Sequence, residues 1–443
     1  MQHRRNQEVL DELASRIRSG ELPAGTRLPT HRDLARQHGI ALETATRIYR
    51  KLAHMGLAVG EAGRGTYVRD RMGWDGLEPN RPVPDPLVAD LSVNEPLAPE
   101  QTDMLRRALK SLATSGNLDA LLRQEPPGGR SGDRRIVATH LLNRGIDVPP
   151  ANVLITNGSQ QGLDAALDAT TRPGDLIAIG ALSYPGMRML AESRKYEFAP
   201  ILVDRVGPDL AALERVCAAR KVRAIYTEPT MHNPLSWVLS LEQRQRIVEI
   251  ARQHDIYLIE DGTYAFLAPD APPPLQALAP ERTVYISSLS KSFATGLRFG
   301  FVVAPEPLIL GLRSGLRAST YGSPSIVTSL AVGWIADGSV EQMEQERRAD
   351  ARRRQTIARA ALRGYDLITH PSSYIIWLLL RPGQRMDAVG AALAERGILV
   401  GTADRYATNG HPPHALRLAL ATPPLETYID AIDTVRTTLD SIG

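Results

Sequence analysis

Ser287-Ser288-Leu289-Ser290-Lys291-Ser292-Phe293-Ala294-Thr295-Gly296-Leu297-Arg298-Phe299-Gly300 is the stretch on which the reading of this chain turns. Before it runs Thr283-Val284-Tyr285-Ile286, a β-branched and aromatic segment that predicts a buried strand, with the hydroxyls and Lys291 in the loop past its carboxyl end. Open α/β sheets bind ligands at that edge. A lysine partly desolvated there and next to the fixed cation Arg298 has a lowered pKa, which an amine needs to attack a carbonyl and form a Schiff base. Ser288, Ser290 and Arg298 suit a phosphate, by hydroxyl donation and by a planar guanidinium fork. Lysine and phosphate cup together point to pyridoxal 5'-phosphate. The competing reading is a serine-rich surface loop that happens to hold one lysine and one arginine, and the rest of the chain decides between them.

At 443 residues the chain suggests two or three domains. Hydrophobic content of 43% and charged content of 23% leave ample material for a core. The longest apolar run, Tyr374-Ile375-Ile376-Trp377-Leu378-Leu379-Leu380, is strand-sized, and a membrane span needs about 18 residues. The polar start leads into no signal-peptide core, so a cytoplasmic protein is expected. Cys217 is the single cysteine, which excludes an intrachain disulfide and a thiolate metal cluster, and no metal site is expected. Charge is uneven: residues 1–70 carry twelve Lys or Arg against eight Asp or Glu (12 − 8 = +4), so the basic part is the first one, although the whole chain is only +3.

Along the first segment, Val9, Leu10, Leu13 and Ile17 recur at helical spacing up to Gly20, and Leu22-Pro23-Ala24-Gly25 makes a turn. A second helix from His31 to Gln37 stops at His38-Gly39, and a third runs from about Leu42 to His54. Short apolar stretches follow, Leu57-Ala58-Val59 and Gly63-Arg64-Gly65-Thr66-Tyr67-Val68. This order describes a winged helix-turn-helix whose third helix enters a major groove, while the Gly-Arg-Gly tip lets Arg64 approach the backbone or minor groove. The residues Leu22-Pro23-Ala24-Gly25-Thr26-Arg27-Leu28-Pro29-Thr30-His31-Arg32-Asp33-Leu34-Ala35, with Gly63 to Val68, resemble the GntR family of bacterial transcription factors. That resemblance implies double-stranded DNA as a partner and Arg27, Thr30, Arg32, Thr44, Arg47, Arg64 and Gly65 as its contacts. Leu42-Glu43 departs from the basic or polar pair that usually opens the recognition helix. Glu43 repels phosphate but can accept from a cytosine amino group. A basic three-helix module that binds no DNA is the competing reading.

The domain organisation expected is a winged helix-turn-helix at 1–69, a linker rich in proline and glycine at 70–90, and an α/β effector domain at 91–443, divided into a large part (91–340) and a smaller α+β lobe (341–443). From Leu91 onward short apolar strands alternate with helices: Val153–Thr156, Leu176–Ile179, Ala224–Tyr226, Ile256–Ile259, Val284–Ile286 and Phe299–Val303. Such a pattern implies a mainly parallel sheet covered on both faces. After about residue 340 come a long Arg-rich helix, a strand at Tyr374–Leu380, a helix near 386–396, a strand at Ala415–Leu420 and a last helix from Leu425. Its arginines 347, 348, 352, 353 and 354 are read as a solvated helix face.

Four features fall beside Lys291 at carboxyl ends of expected strands. Thr156-Asn157-Gly158-Ser159-Gln160-Gln161-Gly162 is a strand-to-helix turn whose N–H groups and helix dipole make a second phosphate wall, with Gly158, Ser159 and Gln160 lining it. Ser183-Tyr184-Pro185-Gly186 places Tyr184 to cover a flat ring. Glu228-Pro229-Thr230-Met231-His232-Asn233-Pro234 places the Asn233 amide. Glu260-Asp261-Gly262-Thr263-Tyr264 supplies a carboxylate that needs a cation, and a protonated pyridine nitrogen is one. Singly each has a plain structural reading; in this order they support one another.

Residues 91–443 resemble the fold-type I pyridoxal-phosphate aminotransferases. The resemblance puts Lys291 at the Schiff-base position, Asp261 at the pyridine partner, Asn233 and Tyr264 at the phenolate ligands and Tyr184 at the ring-stacking aromatic. Ser159, Gln160, Ser288 and Arg298 match the phosphate cup, and Arg417 in Leu416-Arg417-Leu418-Ala419 matches the clamp for a substrate carboxylate. Gln124, Asn94, His232 and Leu235-Ser236 stand where the family commonly has tyrosine, glycine, glutamine and Thr-Gly. A GntR-type reader joined to such a domain resembles the MocR-type transcriptional regulators over nearly the whole chain. What this implies is a pyridoxal-phosphate-dependent, homodimeric regulator that senses an amino compound through Lys291. A working aminotransferase carrying a DNA-binding module, and a fold retained only for dimerisation, are the alternatives.

Overall fold

The computed structural model describes residues 9–14, 16–17, 21–22, 26–54, 57–61, 65–68, 87–96, 99–114 and 118–442. Arg64, the turn at 23–25, Arg69 and residues 70–86 of the expected linker lie outside the described residues.

The N-terminal unit is built on the helices His31–His38 and Leu42–His54 and a hairpin of β1 (Ala58–Glu61) and β2 (Gly65–Val68). Thr30 caps the first helix, its hydroxyl accepting from the Asp33 N–H at 3.2 Å, and Gly39 closes it in the left-handed region at φ 61°. Residues 26–28 add to the hairpin through Leu28 N–H to Thr66 and Val68 N–H to Thr26, both 2.8 Å. Val9, Leu13, Ile17, Leu34, Ile48, Leu52 and Val68 pack into a core of their own. Helical spacing in the sequence therefore translates directly into the buried faces of a winged helix-turn-helix.

The larger unit holds two sheets. The first has seven strands in the order β4 (Val153–Thr156), β10 (Gly300–Val303), β9 (Thr283–Ser288), β8 (Tyr257–Asp261), β7 (Val222–Thr227), β5 (Leu176–Gly180) and β6 (Glu197–Ile201). β10 runs antiparallel to both β4 and β9, and the other neighbours pair in parallel. Both faces carry apolar clusters, with Leu163, Ile177, Val284 and Leu312 in one and Leu213, Ile225, Ile247 and Leu258 in another. β4, β5, β7, β8 and β9 consequently open their carboxyl ends on one edge, as a parallel sheet requires.

The second sheet has five strands, β11 (Asp366–Thr369), β12 (Ile375–Leu379), β14 (Ala415–Ala419), β13 (Ile398–Thr402) and β3 (Ala89–Leu91). β3 lies parallel to β13, and the other pairs are antiparallel. Three points differ from the sequence reading. Ala89 and Asp90, assigned to the linker, are strand residues that add with Leu91 to the small lobe, so the chain enters that lobe before crossing to the large sheet. Ser287 and Ser288 belong to β9 itself, not to the loop beyond it. Arg347 and Arg354 are buried, not on a solvated face: Arg347 donates to the Pro96 carbonyl at 3.0 Å, and Arg354 holds Asp350 and the carbonyls of Leu420 and Pro423.

No helix among the described residues is long and apolar enough to cross a membrane, and no group of His, Cys, Asp and Glu among them is arranged to hold a metal.

Candidate functional site

Five loops at the carboxyl edge of the large sheet converge with the strap 92–96 and with β14. Lys291 follows β9 and is part-buried; its amine donates to the Asn94 carbonyl at 2.8 Å. Burial, then the charge of Arg417, and with an opposing Glu95 the charge of Arg298, bring its pKa down to about 8. An amine so placed is partly neutral, hence nucleophilic, near pH 7.

Asp261 ends β8 and is buried. One oxygen accepts from the Thr263 N–H at 2.9 Å and the other from the Tyr226 hydroxyl at 3.1 Å. Both donors are neutral, and burial raises its carboxyl above the ordinary range. A cationic ring nitrogen is the partner such a carboxylate lacks. Tyr264 and Asn233 are likewise buried, and the Asn233 carbonyl oxygen has no hydrogen-bond partner. Arg244, wholly buried, holds the loop of Asn233 by donating to the Pro229 carbonyl and the Thr230 hydroxyl at 2.9 and 2.8 Å.

The phosphate end is formed by two turns that touch. Gly158 has φ +79°, and a Cβ built on it would lie 2.9 Å from an Arg298 guanidinium nitrogen, so only glycine allows the two to meet. Ser159 and Gln160 open the following helix Ser159–Thr170, whose first N–H groups face the turn. Ser288 and Ser290 are buried, and the Ser290 hydroxyl and the Gln160 carbonyl oxygen are unpartnered. Arg298 is exposed in the left-handed region at φ 50°. Tyr184 is half-buried beside Gln160 and Gly186; burial pushes its hydroxyl pKa up. The unpartnered Ser290 hydroxyl, a glycine cradle for Arg298 and a buried carboxylate without a cation fit pyridoxal phosphate end to end.

Arg417 on β14 is buried, donates to the Ser92 carbonyl at 3.1 Å, and keeps its Nε free of any partner. It is available as a carboxylate fork. Gln124, by contrast, is exposed.

This combination of fold and lysine site decides the lineage. The chain belongs to the aminotransferase class I and II family. Residues 87–435 match that family, and residues 5–68 match the bacterial regulatory proteins of the gntR family. The HTH-type transcriptional regulator YdeF of Bacillus subtilis is 26% identical over 440 residues, covering 97% of this chain and 93% of the relative. The HTH-type pyridoxine biosynthesis transcriptional regulator PdxR of Corynebacterium glutamicum is 25% identical over 411 residues, covering 90% and 88%. Among solved structures, an archaeal alanine:glyoxylate aminotransferase superposes with a TM-score of 0.74 at 23% identity, over 82% of this chain and 92% of that one. The α-aminoadipate aminotransferase LysN of Thermus thermophilus, complexed with N-(5'-phosphopyridoxyl)-L-leucine, gives a TM-score of 0.73 at 23% identity over 80% and 92%. The last two show the aminotransferase fold. Family and site together make pyridoxal phosphate the cofactor of this aminotransferase-type domain.

In the N-terminal unit, Arg27, Thr30, Arg32 and Arg47 are exposed. Gly65, at φ +121°, lies against Arg27: a Cβ there would meet its Nε at 3.1 Å, so the wing base and Arg27 form one surface. Thr44 is corrected. It is 8% exposed, one turn before Ile48 on the face that packs into the unit's core, so it does not face DNA.

Sequence reasoning missed Tyr226, the donor to Asp261, and Glu228, a buried acid in the same site. Burial and the neighbouring Asp261 push the Glu228 carboxyl well above the ordinary range.

Proposed function

We propose that this protein is a pyridoxal-phosphate-dependent transcription regulator that reads double-stranded DNA and responds to an amino compound at Lys291. The observation that carries the reading is that a lysine site suited to the cofactor and a separately packed winged helix-turn-helix stand on one chain. When bound, pyridoxal phosphate supplies an electrophilic carbon and an electron-withdrawing ring to which an amine becomes covalently linked. The rest is done by the protein's own groups. Lys291 offers a neutral amine, Asp261 would hold the ring nitrogen, and Ser288, Ser290, Arg298 and the turn of Gly158, Ser159 and Gln160 would hold the phosphate. Asn233 and Tyr264 would hold the ring oxygen, Tyr184 would cover the ring, and Arg417 would take the carboxylate of the effector.

Arg27, Thr30, Arg32, Arg47, Arg64 and Gly65 make up the DNA-contacting set, with Glu43 supplying an acceptor at the start of the recognition helix. The large exposed side chains Leu122, Leu310 and Tyr321 fit a homodimer assembled through the aminotransferase-type domain. A protein that reads chromosomal DNA works in the cytoplasm, at the nucleoid.

The test is an absorbance titration of the purified chain with pyridoxal phosphate and then with the twenty L-amino acids, with borohydride trapping and peptide mapping of the adduct. The same samples are assayed for binding to a duplex the protein itself selects from a random pool. Trapping at Lys291, and one amino acid that changes both spectrum and DNA affinity, are the expected results. Repeated release of keto acid without an effect on DNA would instead make the protein an aminotransferase.

A further inference from the structure

The segment Ser92-Val93-Asn94-Glu95-Pro96 joins β3 to the large unit, and it meets the cations of the site in a regular way. Ser92 C=O accepts from Arg417 at 3.1 Å, Asn94 C=O from Lys291 at 2.8 Å, and Pro96 C=O from Arg347 at 3.0 Å. The chain bends at Ser92 and Val93, and all three carbonyls still end on cations contributed by other parts of the domain. The Asn94 side chain anchors the segment: its amide N donates to the Tyr264 hydroxyl and the Tyr374 carbonyl, both at 3.3 Å, and its oxygen accepts from the Ala421 N–H at 3.1 Å. Asn94 is 2% exposed and bonds at once to Tyr264 of the large unit and to Tyr374 and Ala421, which flank β12 and β14 of the small lobe. Immediately upstream, β3 is pinned to β13, and in sequence the DNA-reading unit precedes it.

We infer that residues 92–96 are the output strap of the sensor, and that Asn94 is the residue that positions it. The strap carbonyls and the ligands compete for the same two cations. Linking Lys291 to the cofactor removes the donor from Asn94 C=O, and a carboxylate taken up on the free Nε side of Arg417 shares that guanidinium with Ser92 C=O. Buried carbonyls that lose their donors shift until they find others. An amine that displaces Lys291 from the cofactor gives the strap its donor back. The strap therefore reports whether the Lys291 amine is free, and it does so in the segment that follows the reader and linker in sequence. This inference rests on the cofactor reading above and adds the route by which occupancy leaves the site.

The experiment follows hydrogen exchange of the full chain in three forms: without cofactor, loaded with pyridoxal phosphate, and loaded then reduced by borohydride, which fixes Lys291 in the linked state. Peptides within residues 88–96 should exchange about five-fold faster in both loaded forms, as the amides of Ser92 and Glu95 leave Asp90 and Thr422 when the strap shifts, each opening costing about one hydrogen bond less. Ligand binding ordinarily slows exchange, so the sign is distinctive. Asn94→Ala should raise exchange there in all three forms. It should also bring the ratio of DNA affinities with and without cofactor toward one, while absorbance still reports cofactor uptake. Unchanged exchange at 88–96 in wild-type protein whose spectrum shows Lys291 linked overturns the strap and leaves the cofactor reading standing. Failure of Lys291 to take up cofactor overturns both. Where Asn94→Ala does not fold, the three-form comparison on the wild type decides alone.

Discussion

Cofactor capture by the free protein should depend on pH in a way set by the surroundings of Lys291. With its pKa at about 8, roughly one amine in ten is neutral at pH 7; a lysine at the ordinary 10.5 would have about three in ten thousand. The environment thus makes capture about 300-fold faster at neutral pH than an exposed lysine of equal intrinsic reactivity would. The sign follows from the direction of the shift: lowering the pKa of a base enlarges its neutral fraction below pH 10.5, and the gain is complete once pH passes about 8. Stopped-flow absorbance after mixing with pyridoxal phosphate should show a rate rising about ten-fold per unit up to pH 8 and then a plateau. Arg417→Met removes the larger of the two neighbouring cations, so the break should move to higher pH and capture at pH 7 should slow. A wild-type rate still climbing steeply between pH 9 and 10 would refute the argument, because Lys291 would then be an ordinary solvated amine.

Asp261→Asn should have opposite effects on the two states. Losing the partner of a buried ring cation should weaken cofactor binding about a hundred-fold or more. The cofactor-free protein should melt higher, since a carboxylate raised by burial no longer has to be kept among neutral partners; calorimetry with and without cofactor checks both. Leu52→Ala, at a position with no exposure in the core of the reader, should destabilise that unit by about 2–5 kcal/mol and abolish DNA binding while absorbance at the cofactor site stays normal. Arg47→Ala should weaken binding to all sequences and lower the salt slope by about one, read by titration at several salt concentrations. Thr44→Ser, on the buried side of the same helix, should leave that slope unchanged.

What could be read from the sequence was whatever its local pattern encoded. Strands buried on both faces, such as Val153–Thr156 and Thr283–Ser288, are uniformly apolar or hydroxylated and stand out. β6 escaped because it is an edge strand with Glu197, Pro200 and a partly exposed Phe198, and β11 because it is short and half-exposed at the other sheet's edge. β3 was hidden by the prolines around it, and only its pairing with β13, some 300 residues on, makes it a strand. Within the site, residues that touch a ligand were found through motif spacing, but those that hold them in place were not. Arg244, Tyr226 and Asn94 act across distances in sequence that no local window spans, and Asn94 looked only like a departure from glycine.

Glu228 separates the roles of the two buried acids. Its carboxyl is driven up first by burial and then by Asp261, so one of the pair keeps its proton, and a ring cation against Asp261 leaves Glu228 as the protonated member. Its Oε2 has no hydrogen-bond partner and lies 4.0 Å from His232 Nε2, and burial drives the His232 pKa down to about 3, so that ring is neutral and offers no ion pair. A protonated carboxyl and a carboxamide have nearly the same shape, so Glu228→Gln should keep cofactor uptake where Asp261→Asn loses it. Stability supplies the sign. A folded pKa above the unfolded 4.5 means that stability falls as pH rises between the two values, by about 1.4 kcal/mol per unit, because the unfolded chain has already released that proton. Glutamine has no proton to lose, so the variant should gain on the wild type from pH 5 to pH 7 in urea denaturation. A gap between the two proteins that stays constant over that range would mean that Glu228 is ionised in the folded state, and the division of labour between the two acids would have to be reversed.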